Sequence, residues 1–237
     1  MKFLPLASSS KGNAYLIESE GVAPLLLEAG LPIKQLREKL YQHGVIRADL
    51  AGCLVSHEHS DHSKAVKDLL KTGVACHMSR GTANALDVLY HHRVQIFLDN
   101  PGCWFFSGWE VLTFGLEHDA AEPLGFFIGH ENDRLLFIPD TAYVKNRFKG
   151  VTILAVECNH VSNVLSENIL SGSVPSVVGR RIRRNHMSLQ TVKEMILAND
   201  LSQCRQIYLL HLSDGNSDEQ RMKKEIQEIT GIPVYVA

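Results

Sequence analysis

The chain lacks several features that would place it quickly. No apolar run approaches the length of a membrane span. The apolar start, Met1 to Ala7, is broken by Ser8-Ser9-Ser10-Lys11 and is too short for a secretory leader. The five cysteines, Cys53, Cys76, Cys103, Cys158 and Cys204, are scattered, odd in number and without a C-x-x-C pair. That argues against a disulfide framework or a zinc knuckle and for a reducing cytoplasm. There is no basic excess: 24 Lys and Arg face 26 Asp and Glu, for a net charge of −2. A global polyanion-binding coat is therefore excluded, and any such site must be local. Repeats, low-complexity tracts and linkers are also missing. What remains is 237 residues, 45% hydrophobic, enough for one large domain over 1–237.

One stretch carries most of the chemistry. Ser56-His57-Glu58-His59-Ser60-Asp61-His62 follows the apolar run Cys53-Leu54-Val55. In extended backbone an H-x-H pair puts both imidazoles on one side, because side chains alternate. Asp61 and His62 then face another direction as the chain turns. Neutral imidazole and carboxylate are ligands for zinc and for harder ions such as manganese. The spacing suits two adjacent ions, His57 and His59 on one, Asp61 and His62 on the other.

This H-x-H-x-D-H stretch resembles the signature of the metallo-β-lactamase superfamily. The resemblance runs over nearly the whole chain and looks closest to the small bacterial WalJ/YycJ-like branch, whose members are similar to DNA exonucleases. It implies an α/β fold, a four-layer αββα sandwich with metals at one open edge. It also implies the remaining ligands. His118, in His118-Asp119-Ala120…Pro123, matches the next metal histidine. Asp140, in Asp140-Thr141-Ala142-Tyr143, matches the bridging carboxylate of a D-T-G-Y motif, with Ala142 in place of glycine. His211, in His211-Leu212-Ser213-Asp214-Gly215-Asn216, matches the last ligand of an H-L-S-x-x-N motif, which makes Ser213 and Asn216 candidate substrate contacts. Two divalent ions, zinc or manganese, follow from the set. Asp61 is also expected to orient the nucleophile. His186 matches a histidine that assists leaving-group departure in phosphodiesterase branches. Where the family has Asp-x-Gly, this chain has Glu28-Ala29-Gly30, so Glu28 is expected only to support the ligands, beneath the first histidine pair if anywhere.

Other features leave alternatives open. Lys11-Gly12-Asn13 is either a loop near the site or a simple hairpin connection. Cys158-Asn159-His160 resembles E-x-N-H-D with Val161 replacing the aspartate. His160 there lies either beside the site or in a helix-entry turn. Arg180, Arg181, Arg183 and Arg184 read as a phosphate-gripping patch or as a solvated helix face. Val94–Phe97 and the strands near 109–114, 125–129 and 134–138 suggest an antiparallel meander. Helices are expected from Pro32 to Gly44, from Ser63 to Gly73, from a Ser79 cap to about Tyr90, after a Ser188 cap, and after Ser217-Asp218-Glu219-Gln220. Only 46 positions separate Asp140 from His186, too few for the inserted cap domain of RNA-processing relatives. The expected function is phosphodiester hydrolysis, first as a DNA exonuclease with no membrane or obligate protein partner. A cyclic-phosphate phosphodiesterase and a glyoxalase-type thioester or lactam hydrolase are the alternatives, and a non-catalytic binding module is a different class again.

Overall fold

The computed structural model describes residues 1–98 and 101–237. It forms two compact units. The first comprises Met1–Gly115 and Ala120–Asn132, and the second Leu116–Asp119 and Asp133–Ala237.

The first unit opens with β1 (Lys2–Ala7), β2 (Ala14–Glu18) and β3 (Leu25–Leu27), followed by α1 (Ile33–Gln42) and β4 (Gly52–Leu54). Then come α2 (Ser60–Ser63), α3 (Val66–Lys71), β5 (Cys76–Ser79), α4 (Arg80–Ala85) and β6 (Val94–Phe97). Strands β1 to β6 form one sheet in chain order. β1, β2 and β3 pair antiparallel, while β3, β4, β5 and β6 pair in parallel. Parallel neighbours need a crossover, and helices α1 to α4 supply it. Those helices cover the sheet with Leu36, Leu40, Val66, Leu69, Leu70 and Ala83, packed on Leu26, Cys53, Val55 and Met78.

The unit ends in β7 (Gly102–Phe106), β8 (Trp109–Gly115) and β9 (Leu124–His130), an antiparallel meander. It lies against the first sheet: Phe106 stacks on His77 at 4.0 Å, and Trp109 Nε1 donates to Ala23 O at 2.9 Å. Gly125 makes room for Phe114, whose ring would lie 2.3 Å from a Cβ there.

The second unit carries β10 (Asp133–Ile138), β11 (Ile153–Glu157), α5 (Ser162–Leu170), α6 (Ser176–Asn185), α7 (Leu189–Leu197), β12 (Gln206–Leu210), α8 (Glu219–Thr230) and β13 (Val234–Val236). β10 to β13 are all parallel. β11 is buried along its whole length, as a strand covered on both faces must be. Ser188 caps α7 through Thr191 N, Asp218 caps α8 through Arg221 N, and Gly231 ends α8 in the left-handed region.

Several expectations need correction. Val94–Phe97 is not in the meander but is the parallel edge strand of the first sheet. The helix expected from Ser63 to Gly73 starts only at Val66, as α3, because Ala65 leaves helical geometry after the short α2. The Ser79-capped helix stops at Ala85, and Asp87 takes a positive φ. β1 and β7 are strands that the sequence reading passed over.

Parallel strands point their C-terminal ends one way, and loops leaving those ends carry ligand-binding groups. In the first unit β3 leads into Glu28 and β4 into the His57 loop. In the second, β10 leads to Asp140, β11 ends on Glu157, and β12 leads to His211.

Candidate metal centre

In the first unit the His57 loop brings three imidazoles together. His57 and His59 lie 4.7 Å apart between ring centroids, and His57 and His62 4.2 Å. His57 and His62 are buried. Asp61 Oδ2 is 3.5 Å from His62 Nε2. Ser56 Oγ meets His57 Nδ1 at 2.8 Å and fixes that ring. Asn13 Nδ2 donates to His62 Nε2 at 3.1 Å, so the proton of a neutral ring sits on Nδ1, which faces Glu28 Oε2 at 3.5 Å. Asn13 N also donates to Asp61 O at 2.7 Å. The Lys11-Gly12-Asn13 loop is thus both the β1–β2 connection and a brace for the histidine loop.

Gly30 is needed for this approach, since a Cβ there would stand 1.6 Å from Asp61 O. Glu28 supports His62 rather than the first histidine pair. Its φ of 63° turns it off the end of β3, and Oε2 accepts from Ser56 N at 3.4 Å. Burial pushes the Glu28 carboxyl above its ordinary value, and contacts with His62 and Ser56 offset part of that rise.

In the second unit Asp140, Glu157, His186 and His211 each bring one potential ligand atom within 4.8 Å of the others. His211 Nδ1 is 3.3 Å from Asp140 Oδ1 and 3.4 Å from Glu157 Oε1. His211 adopts a φ of 53°, and Asn159 Nδ2 donates to its carbonyl at 3.0 Å. His118 Nδ1 donates to Asn185 O at 2.9 Å, which leaves Nε2 facing Asp140 Oδ2 at 3.8 Å. Burial lowers the pKa of His118, favouring the neutral ring a metal requires.

Glu157, the glutamate of the stretch that resembles E-x-N-H-D, was given no role in the sequence reading. It is fully buried, and Oε2 accepts from Thr141 N and Met187 N, both at 3.1 Å. Oε1 forms a close hydrogen-bonded ion pair with His186 Nδ1. Burial, the largest single influence, would raise the Glu157 pKa, but the charge of His186 and hydrogen bonds from His186 and His211 together outweigh it and hold the carboxyl low. Burial would likewise lower His186, yet Glu157 and Asp140 pull it above the ordinary histidine value. The available signal was a lone carboxylate closing the apolar run Val151 to Val156.

The other predicted contacts are placed as follows. The four arginines lie exposed on α6. Arg181 Nε donates to Asp119 Oδ2 at 2.9 Å, and Asp119 Oδ1 is 3.4 Å from His118 Nε2. Arg183 donates to Ser166 Oγ at 2.8 Å. Asn216 Nδ2 donates to Ser213 Oγ at 3.0 Å, so this pair braces the loop after His211. His160 lies both at the entry to α5 and close enough to Glu157 and His186 to feel their charges; its carbonyl accepts from Leu189 N at 2.9 Å, and burial drops its pKa to about 4.

The comparisons with known proteins agree with this chemistry. A family model for the beta-lactamase superfamily domain matches residues 25–212. Together with these imidazoles and carboxylates on parallel strand ends, it makes the chain a metal-dependent hydrolase that binds divalent metal. Exodeoxyribonuclease YycJ of Bacillus anthracis is 31% identical over 97% of this chain and 89% of its own. Exodeoxyribonuclease WalJ of Streptococcus pneumoniae is 28% identical over 91% of this chain and 83% of its own. The metallo-β-lactamase-fold protein YhfI of Bacillus subtilis shares the fold, with a TM-score of 0.75 at 15% identity over 99% of this chain and 95% of its own. The chain belongs to the metallo-β-lactamase superfamily, in the branch that contains YycJ and WalJ, and has that superfamily's α/β sandwich fold. No helix among the described residues is long and apolar enough to cross a membrane.

Proposed function

We propose that this protein is a DNA exonuclease that hydrolyses phosphodiester bonds with two divalent ions, zinc or manganese. His57, His59 and His118 would hold one ion and Asp61, His62 and His211 the other, with Asp140 offering a carboxylate to both. The support is the order of these residues in the superfamily's pattern and the imidazole and carboxylate donors that converge within each unit. When bound, such ions lower the pKa of water and neutralise charge on the phosphoryl oxygens.

The protein's own groups do the rest. Asp61 orients the attacking water. His186 gives a proton to the departing sugar oxygen as the P–O bond breaks. Its Nδ1 is engaged by Glu157, which leaves Nε2 for that transfer. Arg180 and Arg184, exposed beside the Arg181–Asp119 pair, are candidates to meet the phosphate backbone. A cytoplasmic setting fits the five free cysteines.

The observation that carries this reading is the buried Glu157 beneath His186. An alkoxide leaves phosphorus poorly unless it is protonated, and this pair supplies a positioned acid. A thiolate leaving group needs no such donor. The relatives named exodeoxyribonuclease point to DNA among phosphodiesters. The test is one purified, metal-loaded sample assayed against 5′-labelled duplex DNA, a cyclic ribose phosphate and a thioester. Stepwise release of nucleotides from the labelled DNA is expected. Turnover confined to either of the other substrates would overturn the proposal.

A further inference from the structure

The outer helical face of the first unit carries two cavities that the metal site does not use. One, of about 530 Å³, lies beside α1. Lys34, Arg37, Glu38 and Tyr41 line it at i, i+3, i+4 and i+7, so one stripe of α1 forms its wall. Leu40 and Val45, both buried, belong to its floor, and Arg47 closes it from the next turn. The second, of about 360 Å³, lies between α3 and the segment after α4. Lys67 and Lys71, one helical turn apart on α3, line one side, and Tyr90 the other. Lys71 lines the second cavity and Thr72 the first, so the two flank the C-terminal end of α3.

Three features of these cavities agree. Five cations line them against two carboxylates, Glu38 and Asp87, in a chain whose net charge is −2. Among the described residues none of the five cations is paired with a carboxylate. Each cavity also holds one tyrosine that folding leaves in water: Tyr41 is 75% exposed and Tyr90 97%. A folded chain gains nothing from exposing both rings beside unpaired cations. A ligand that offers phosphates and flat aromatic faces in alternation would use all of them.

We infer that this face is a track for single-stranded DNA, with Tyr41 and Tyr90 as stacking platforms and Lys34, Arg37, Arg47, Lys67 and Lys71 as backbone contacts. Proteins that hold single strands without reading sequence combine these two elements, a cationic groove and spaced aromatic rings. The track deepens the exonuclease reading and rests on it. It uses none of the residues proposed for the metal site, so it governs affinity and processivity on long strands and not the chemical step.

The experiment compares the wild-type protein with Tyr41→Ala/Tyr90→Ala, Tyr41→Phe/Tyr90→Phe and Lys67→Ala/Lys71→Ala, all metal-loaded. Affinity for a long fluorescent oligodeoxynucleotide is measured by anisotropy across a salt series. Turnover is measured on that strand and on a nitrophenyl phosphodiester too small to reach the track. The alanine pair is expected to weaken long-strand binding by at least about fivefold, from the usual strength of base stacking. Turnover of the small diester and the melting temperature should stay unchanged, and the phenylalanine pair should bind as the wild type does. The lysine pair should flatten the slope of log affinity against log salt by roughly 0.7 per cation removed.

Unchanged long-strand affinity in both the tyrosine and lysine variants, with the wild type still degrading DNA, would overturn the track alone. A wild-type protein that cleaves the small diester but neither binds nor degrades DNA would overturn the exonuclease reading, and the track with it.

Discussion

Replacing Glu157 with glutamine is the most direct probe of the proposed acid. The glutamate accepts hydrogen bonds from Thr141 N, Met187 N and His186 Nδ1, and His211 Nδ1 lies 3.4 Å from its Oε1. Glutamine is isosteric but has one acceptor oxygen. If that oxygen keeps the two backbone donors, the amide nitrogen faces His186 and the ring must give up its Nδ1 proton. If the amide flips, two buried backbone donors lose their partner instead. The flipped amide is the worse of the two, and even one buried donor left unsatisfied costs roughly 1–3 kcal/mol. For a chain of this size that predicts a fall in Tm of roughly 3–10 °C. Turnover should fall further than stability accounts for. Without the carboxylate only the more distant Asp140 is left to balance a proton on His186, and kcat on DNA should drop by about 10²–10⁴, the range for general acid catalysis. A nitrophenolate leaves without a proton, so the loss on a nitrophenyl phosphodiester should be less than about tenfold. The assay is kcat on both substrates, with metal content measured on the same sample. A purely structural Glu157 would lower Tm while leaving the ratio of the two kcat values where it was. Equal losses with metal missing would make Glu157 a support for a ligand and refute the positioning role.

Other perturbations give separate checks. His186→Ala should keep both metals and the fold while reproducing the leaving-group-dependent loss, and a lost metal would make His186 a ligand instead. Chelation should abolish activity and lower Tm, since binding to the folded state stabilises it, while Asp140→Asn should reduce both metals together by elemental analysis. Gly30→Ala should cost about 3 kcal/mol in urea titration, because the added carbon meets a backbone oxygen that cannot move aside. His77 gives a pH signature. Its ring is buried against Phe106, and burial lowers its pKa to about 4. A pKa below the unfolded value means stability is full above about pH 6.5 and is lost as pH falls towards 4, by up to about 3 kcal/mol. His77→Phe should remove that part of the pH dependence, and identical stability profiles for the two proteins would show that His77 does not titrate in this window.

What the sequence revealed depended on how local each signal was. The His57 cluster was readable because its ligands lie within six positions and their spacing has a direct geometric meaning. The cap at Ser188 was readable for the same reason, while the capping box read over Ser217–Gln220 is replaced by a cap one residue later, at Asp218. Glu157 was hidden because its partners lie 29 and 54 positions away, at His186 and His211. The placement of Val94–Phe97 was also nonlocal. Four alternating residues cannot say whether a strand pairs in parallel, and here the crossover through α4 decides it. β1 was obscured by Pro5, which an edge strand tolerates because one side of its backbone pairs with nothing in the sheet. Glu28 was recognised as a support, but its target depended on a positive φ that no composition announces.

That backbone conformation recurs in the second unit. Glu28 directly follows β3 and His211 directly follows β12, and each takes φ near +60° in a region where every residue but glycine is strained. Each costs roughly 1–2 kcal/mol. The protein therefore gives up stability at two strand ends to aim a carboxylate and an imidazole, and glycine at either position would relax the backbone while removing the functional group. A search for stabilising substitutions should be drawn to these two sites and should damage the protein at both. Thermal stability and turnover pull in opposite directions there, and a variant library screened for melting temperature alone would select against the activity it was meant to preserve.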